Sequence, residues 1–264
     1  MSLAKEALMN VDVKTIDSFL SRYLKASTFE DYGPNGLQVD AFEGEVKKIA
    51  LSVSATLESI DEAARQGCEI LMTHHGILWK YHPARPLTGP FGERIKRLYK
   101  NNLSLISYHL PLDAHEEVGN AVALAKRLGL KNLKPFGLHK KQYSGIQGEW
   151  DQEMTGDDVK ELLQKILGRS VVHANVPEKN IRTIGIITGG ANNDWIQASE
   201  AKLDAYLTGE ISEYNWHDSI EAGLHFFAGG HHATEKFGIQ ELGERLKKEF
   251  PGLQTVFIDS ANPV

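Results

Sequence analysis

The sequence predicts an α/β protein with two similar halves, and three observations carry that expectation. Short buried apolar runs alternate with segments of 3.6-residue period. The runs at 48–53 and 70–73 enclose one helix with a short return, the pattern of a parallel β-α-β unit. A similar succession returns in the second half, where Thr208 stands 135 positions beyond Thr73. Regular α/β alternation produces weak repeats by itself. The use of this one is geometric: two similar sheets facing each other would bring the polar residues at their strand ends opposite one another.

Val13, Ile16, Phe19, Leu20 and Tyr23 share one helical face, so the first element is an amphipathic helix that ends before Asp31. Tyr32-Gly33-Pro34-Asn35-Gly36 packs turn formers together and reads as a tight turn before a short strand at 37–39. The strand at 48–53, a helix at about 56–65, Gly67 and the strand at 70–73 follow, the last running into Thr73-His74-His75-Gly76. Pro83, Pro86 and Pro90 with two glycines make 77–92 a long loop over the sheet edge, and such loops are often lids or binding loops. A helix at about 93–100 and a strand at 103–107 lead to Tyr108-His109-Leu110-Pro111-Leu112-Asp113-Ala114-His115. Pro111 is expected to forbid a helix there and to leave Asp113 on a loop past the strand end.

A helix at 120–128 closes on Gly129 as its C-cap. Residues 131–150 read as loop or short strands and are the best place for a boundary. Val159, Leu162, Leu163 and Ile166 keep register through a helix at 157–167, and 171–174 and 184–188 are strands. Gly189-Gly190 then turns into a helix from near Asn193 to Ala201. The strand at 205–208 ends at Gly209-Glu210, and the strand at 225–228 ends at Gly229-Gly230-His231-His232-Ala233-Thr234-Glu235.

Composition narrows the function classes. The chain has 264 residues, enough for one large domain or two modest ones. A net charge of -6 offers no basic footprint, so duplex nucleic acid is disfavoured as a partner. Cys68 is the single cysteine, which excludes an intrachain disulfide and fits a cytoplasmic protein. No apolar run approaches a membrane span, and residues 1–10 lack the regions of a signal peptide.

The chemistry gathers at strand ends. With a helix beginning near Ala233, His231 lies at its start and Glu235 in its first turn, both able to turn toward one point past the strand. A surface histidine pair beside a helix N-terminus, where an acid offsets the dipole, is the alternative for this stretch alone. Six of eleven histidines, namely His74, His75, His109, His115, His231 and His232, fall at three predicted strand ends, whereas core histidines scatter. In open α/β sheets that edge is where ligands bind. Adding Asp113 and Glu235 supplies ligands for two metals, each completed by water, with a bridging hydroxide as the expected nucleophile. The mixed nitrogen and oxygen set favours zinc, manganese, iron, cobalt or nickel over calcium or magnesium. A single metal that welds the halves together is the competing reading.

Other chemistries are less supported. There is no Gly-x-Ser-x-Gly elbow, Walker loop or Gly-x-Gly-x-x-Gly. Gly189-Gly190 reads as a bare turn or an anion-holding nest. His217 reads as a solvated helix residue.

Tyr32-Gly33-Pro34-Asn35-Gly36-Leu37-Gln38-Val39, Thr73-His74-His75-Gly76, His109-Leu110-Pro111-Leu112-Asp113-Ala114-His115, Thr208-Gly209-Glu210-Ile211-Ser212 and Gly230-His231-His232-Ala233-Thr234-Glu235 together resemble the Nif-three-like family of dinuclear metal proteins, often named GTP cyclohydrolase 1 type 2 homologs. The likeness runs from the first helix to Phe257-Ile258-Asp259. It implies two interlinked α/β subdomains with similar sheets flanked by helices, a two-metal site in the cleft between them, and a homohexameric ring of dimers. It places the metal ligands on His74, His75, Asp113, His231 and Glu235. With a boundary at 131, the subdomains would be 1–130, joined by 236–264, and 131–235. The implied activity is metal-dependent hydrolysis of a nucleotide-like or other small polar substrate, with His109, His115 and His232 as candidate proton carriers. A metal-binding scaffold or regulator without turnover is the alternative, told apart by whether water-occupied metal positions face a cavity.

Overall fold

Asp12 opens helix α1 (Val13–Tyr23) by accepting the Thr15 N–H at 2.7 Å, and Val13, Ile16 and Leu20 form its buried stripe. This is the first element of a computed structural model that describes residues 11–264 apart from Arg85 and Lys140. Residues 1–10, expected to lack a signal peptide, lie outside the described residues.

The described residues divide into two compact units, 11–109 with 243–258 and 110–242 with 259–264. In the first, strand β1 (Gly36–Val39) is followed by β2 (Lys48–Ser54), helix α2 (Leu57–Arg65), β3 (Ile70–His75), α3 (Gly89–Lys100) and β4 (Ser104–Ser107). The last strand of the chain, β11 (Gln254–Phe257), completes a sheet of order β1-β4-β3-β2-β11. All its pairings are parallel except β1 with β4. Thr56 and Ser59 cap α2 reciprocally, and Ile60 and Ala63 pack with Leu98 of α3 against Ala50, Leu71 and Leu105 of the sheet.

The second unit contains helix α4 (Leu110–Asp113), α5 (Asn120–Arg127), β5 (Lys131–His139), β6 (Gln142–Met154), α6 (Gly156–Leu167), β7 (Val172–Ala174), β8 (Ile181–Ile186), α7 (Trp195–Glu200), β9 (Ala205–Thr208), α8 (Glu213–Glu221) and β10 (His225–Ala228). Helix α9 (His231–Glu249) follows, and the division between units falls within it, after Leu242. The sheet order is β5-β6-β8-β9-β10-β7, parallel across β8-β9-β10 and antiparallel elsewhere. Its core joins Val159 and Leu163 of α6 to Ile184, Ile186, Leu207 and Phe227. The protein is therefore α/β, with two sheets flanked by helices. The succession β2-α2-β3-α3-β4 recurs as β8-α7-β9-α8-β10, each with three neighbouring parallel strands, which is the form the sequence repeat takes.

Four local expectations need correction. Pro111 does not exclude helix: α4 is one turn long with Pro111 as its second residue, where an absent N–H has no partner to lose. For the same reason α3 begins at Gly89, with Pro90 in its first turn, rather than at Glu93. Residues 131–150 are not loop but the greater part of a long antiparallel hairpin in the second unit. Its glycines and Pro135 disguised it. Pro135 is tolerated because β5 is an edge strand, and a side chain at Gly145 would overlap the Ile186 carbonyl of the adjacent strand. Finally, α9 starts at His231, two residues before Ala233. No helix of the described residues is long and apolar enough to cross a membrane.

Candidate metal centre

Parallel pairing puts Thr73 of β3 opposite Ser107 of β4, so the residues that follow each strand emerge side by side. His74 and His75 lie at the end of β3, and His109 follows β4. Their ring centroids are 4.6 Å (His74 to His75), 5.0 Å (His74 to His109) and 5.6 Å (His75 to His109) apart. Each ring is turned by a partner at Nδ1. His74 donates to the Tyr108 carbonyl at 3.1 Å, His75 meets Ser54 Oγ at 3.2 Å, and His109 donates to Asp31 Oδ1 at 2.7 Å. With Nδ1 engaged, Nε2 is the nitrogen each ring would give a metal. One ligand atom from each of the three residues lies within 4.8 Å of the others.

In the second unit the donors are His231 and Glu235, one turn apart on α9 and therefore on one face. His231 Nε2 is 3.2 Å from Glu235 Oε2, and its Nδ1 is 2.5 Å from Glu210 Oε1, just beyond β9. Burial opposes charge on this ring, but the carboxylates of Glu235 and Glu210 outweigh it and push its pKa up to about 9. Glu235 is almost fully buried. Backbone closeness makes room for this pair: Gly189 has φ of +71°, and a side chain there would overlap Glu235 Oε1. A Cβ at Gly209 would stand 2.6 Å from His231 Cα. Gly189 is thus the wall behind Glu235, and Gly190 stands beside the His231 ring. The Gly189 N–H also donates to Thr234 Oγ1 at 3.1 Å.

Asp113 ends α4. Asn120, the fully buried first residue of α5, donates to its Oδ1 at 2.8 Å and accepts the Gly238 N–H of α9 at 2.8 Å. Thr188 Oγ1 reaches the same Asp113 oxygen at 3.5 Å. The one-turn helix that holds Pro111 in its first positions is what presents this carboxylate, together with the Asn120 bridge to α9.

The remaining candidates take other positions. His232 is buried with Nε2 2.8 Å from Asp259 Oδ1, and its N–H donates to the Val264 carbonyl at 3.0 Å, so it ties the chain's last residues to α9. His115 Nδ1 accepts the backbone N–H groups of Glu117 and Val118 at 3.2 and 3.3 Å. His217 is exposed beside Glu213, as expected. Sequence reasoning missed Asp31, Asn35, Asn120 and Glu210 as positioning groups. Glu210 was the most visible, standing at a strand end in the repeat. The donor chemistry, imidazole-rich in one unit and imidazole with carboxylates in the other, fits a divalent transition ion.

In the first unit aromatic side chains pack beside these histidines. Trp79 stands edge-on to His109 at 5.2 Å between centroids and stacks on Tyr81 at 5.5 Å. Trp79, with Pro34, Leu78, Pro83, Leu87 and Phe91, lines an open cavity of about 390 Å³.

The family model for Duf34/NIF3 (NGG1p interacting factor 3) matches residues 11–263. The chain belongs to the Duf34/NIF3 family. Among its relatives, a protein of Haemophilus influenzae named GTP cyclohydrolase 1 type 2 homolog is 42% identical over 251 residues, covering 94% of this chain and 98% of the relative. One of the same name from Pseudomonas aeruginosa is 39% identical, with 97% and 100% covered. Among solved structures, one described as protein ybgI, unknown function, superposes with a TM-score of 0.89 at 33% identity, covering 96% of this chain and all of that one. TTHA1606 from Thermus thermophilus gives 0.87 at 28% identity over the same shares. This Duf34/NIF3 chain thus has its relatives' fold along nearly its whole length, and it carries histidine and carboxylate groups able to hold a metal.

Proposed function

We propose that this Duf34/NIF3 protein is a dinuclear metal-dependent hydrolase, GTP cyclohydrolase 1 type 2-like, acting on a nucleotide-like or other small polar substrate. The observation that carries the reading is the preorganisation of the donors: each candidate imidazole is turned by an oxygen at Nδ1. Structural histidines need only one satisfied nitrogen. Here the rings present a second one to other metal-binding groups.

In this reading His74, His75, Asp113, His231 and Glu235 hold two divalent ions of the zinc, manganese, iron, cobalt or nickel kind. Five side chains shared between ions that each prefer about four to six ligands leave places for water and substrate. Two such cations, when bound, acidify water and polarise the bond it attacks. The chain's own contribution is to hold the ligands still. Tyr108, Ser54 and Glu210 fix the rings, Asn120 fixes Asp113, and Gly189 lets Glu235 approach. Of the three candidate proton carriers, His232 holds Asp259 through Nε2 and His109 holds Asp31 through Nδ1, so protonation of a leaving group would fall to His115. The same reading includes a homohexameric ring of dimers, as the family resemblance implies, and a cytoplasmic setting in which the lone, buried Cys68 stays reduced.

The test is metal analysis of purified protein, followed by a hydrolysis screen across nucleotides, phosphoesters and cyclic amides with that metal restored. A His75→Ala/Glu235→Ala variant should lose metal while remaining folded. Full loading of that variant would remove the ligand assignment. Absence of turnover by metal-replete protein on every substrate would replace the hydrolase with a metal-binding scaffold or regulator.

A further inference from the structure

The first unit converges three imidazoles, one more than the resemblance assigns to the metal. We propose that His109 is a metal ligand of this site and that Asp31 is the carboxylate that positions it, an inference that rests on the metal-centre reading above.

Asp31 is buried, its side chain 2% exposed, and its Oδ1 accepts the His109 Nδ1–H at 2.7 Å. The same oxygen accepts the Tyr32 N–H at 2.6 Å, while Oδ2 accepts from Asn35 Nδ2 at 2.9 Å. Asn35 Oδ1 in turn accepts the backbone N–H of His109 at 2.8 Å. His109 is therefore gripped at its backbone and its ring by one short segment. A carboxylate on Nδ1 fixes the tautomer, makes Nε2 the basic nitrogen and strengthens it as a ligand. His74 and His75 are arranged the same way, through a carbonyl and a hydroxyl, and the three residues bring ligand atoms within 4.8 Å of one another.

This assignment gives work to a motif that the sequence left as a turn. Asp31 and the turn at 32–36 that follows it carry the grip, and the glycines of the turn fit it in place. A side chain at Gly33 would overlap the Leu78 carbonyl, and Gly36, at φ of +104°, has Asp17 Oδ1 3.0 Å from where its Cβ would be. The Lys80 N–H donates to the Tyr32 carbonyl at 2.6 Å, and Lys80 Nζ to the Asp31 carbonyl at 2.7 Å, so the segment after His75 closes over the turn. Tyr32 and Trp79 then stand around the His109 ring, with centroids 6.2 and 5.2 Å away. A His–Asp pair kept only for stability would require neither the convergence of three rings nor a second contact at the His109 backbone.

The experiment measures Zn²⁺ affinity by competition with a chromophoric chelator, and the visible absorption of the Co²⁺-substituted protein, for wild type, His109→Ala, Asp31→Asn and His75→Ala. Far-UV circular dichroism and melting confirm that each is folded, and Asp31→Asn, which preserves shape, serves if His109→Ala does not fold. His109→Ala should weaken Zn²⁺ binding at least tenfold and alter the Co²⁺ bands, and Asp31→Asn should weaken it about 10- to 100-fold. Unchanged affinity, or weakened affinity with unchanged Co²⁺ bands, in His109→Ala overturns the inference. If His75→Ala loses metal while His109→Ala keeps it, this inference alone fails. If both keep it, the metal-centre reading fails too.

Discussion

His231 holds its two ring nitrogens between two carboxylates, and their unequal settings decide what each does. Glu210 is substantially exposed and sits on Nδ1, whereas Glu235 is buried beside Nε2. A metal that takes Nε2 must displace the proton that the pair favours there, so Glu210 contributes by keeping the other proton on Nδ1. Glu210→Gln should therefore lower metal affinity about 10- to 100-fold with little change in melting temperature, read by chelator competition. Unchanged affinity would show that Glu210 is only a surface partner. Gly189→Ala tests the wall behind Glu235. The added methyl overlaps Oε1 and imposes a side chain at a positive φ, so a loss of about 1–3 kcal/mol in urea unfolding is expected, accompanied by weaker metal binding.

At the scale of elements, β7 and β10 are joined by more than their ladder. His173 of β7 stacks on Phe227 of β10 at 4.2 Å between centroids, and its Nε2 is 3.1 Å from Nδ1 of His225. His225 Nε2 donates to the Lys179 carbonyl at 2.9 Å, so His225 Nδ1 accepts and the chain of donors has one direction. Burial first, and the neighbouring His225 second, lower the His173 pKa to about 4. The unfolded chain takes up this proton near pH 6.5, the folded chain only near 4. The contribution to stability is thus complete above pH 6.5, falls as the pH drops toward 4, and is gone below it. Between pH 7 and 4.5 it should cost roughly 2–3 kcal/mol. His173→Phe, which retains the stack but not the titration, should narrow the difference between urea midpoints measured at those two pH values. An unaltered difference would mean that the pair does not control acid stability.

At the scale of the whole molecule, a metal that binds only the folded chain stabilises it by mass action. Free metal at a hundred times the dissociation constant adds about 2.7 kcal/mol. For a chain of this size that corresponds to roughly 5–10 °C, so chelation should lower the melting temperature by that amount and readdition of Zn²⁺ or Mn²⁺ should restore it. A melt indifferent to chelator would count against the metal centre. The proposed ring predicts a hexamer by light scattering at micromolar concentration, and a monomer there would refute it.

The sequence by itself determined the class of fold, the parallel β-α-β unit over 48–73, and the fact that histidines and acids collect at strand ends. Apolar runs, helical periods and the residues that follow them are local, and the carboxyl edge of a parallel sheet is where such residues emerge. Only the tertiary structure decided which neighbours control them. Asp31 and Asn35 reach His109 across 78 and 74 positions, and Glu210 reaches His231 across 21, separations that no periodicity records. The β5–β6 hairpin escaped for a related reason: Gly145 is set by close approach of β8, and Pro135 is allowed by an edge, both properties of the assembled sheet. Pro111 marked a break in local terms, yet one helical turn there needs no N–H from it, and that turn is what holds Asp113 where Asn120 can bind it.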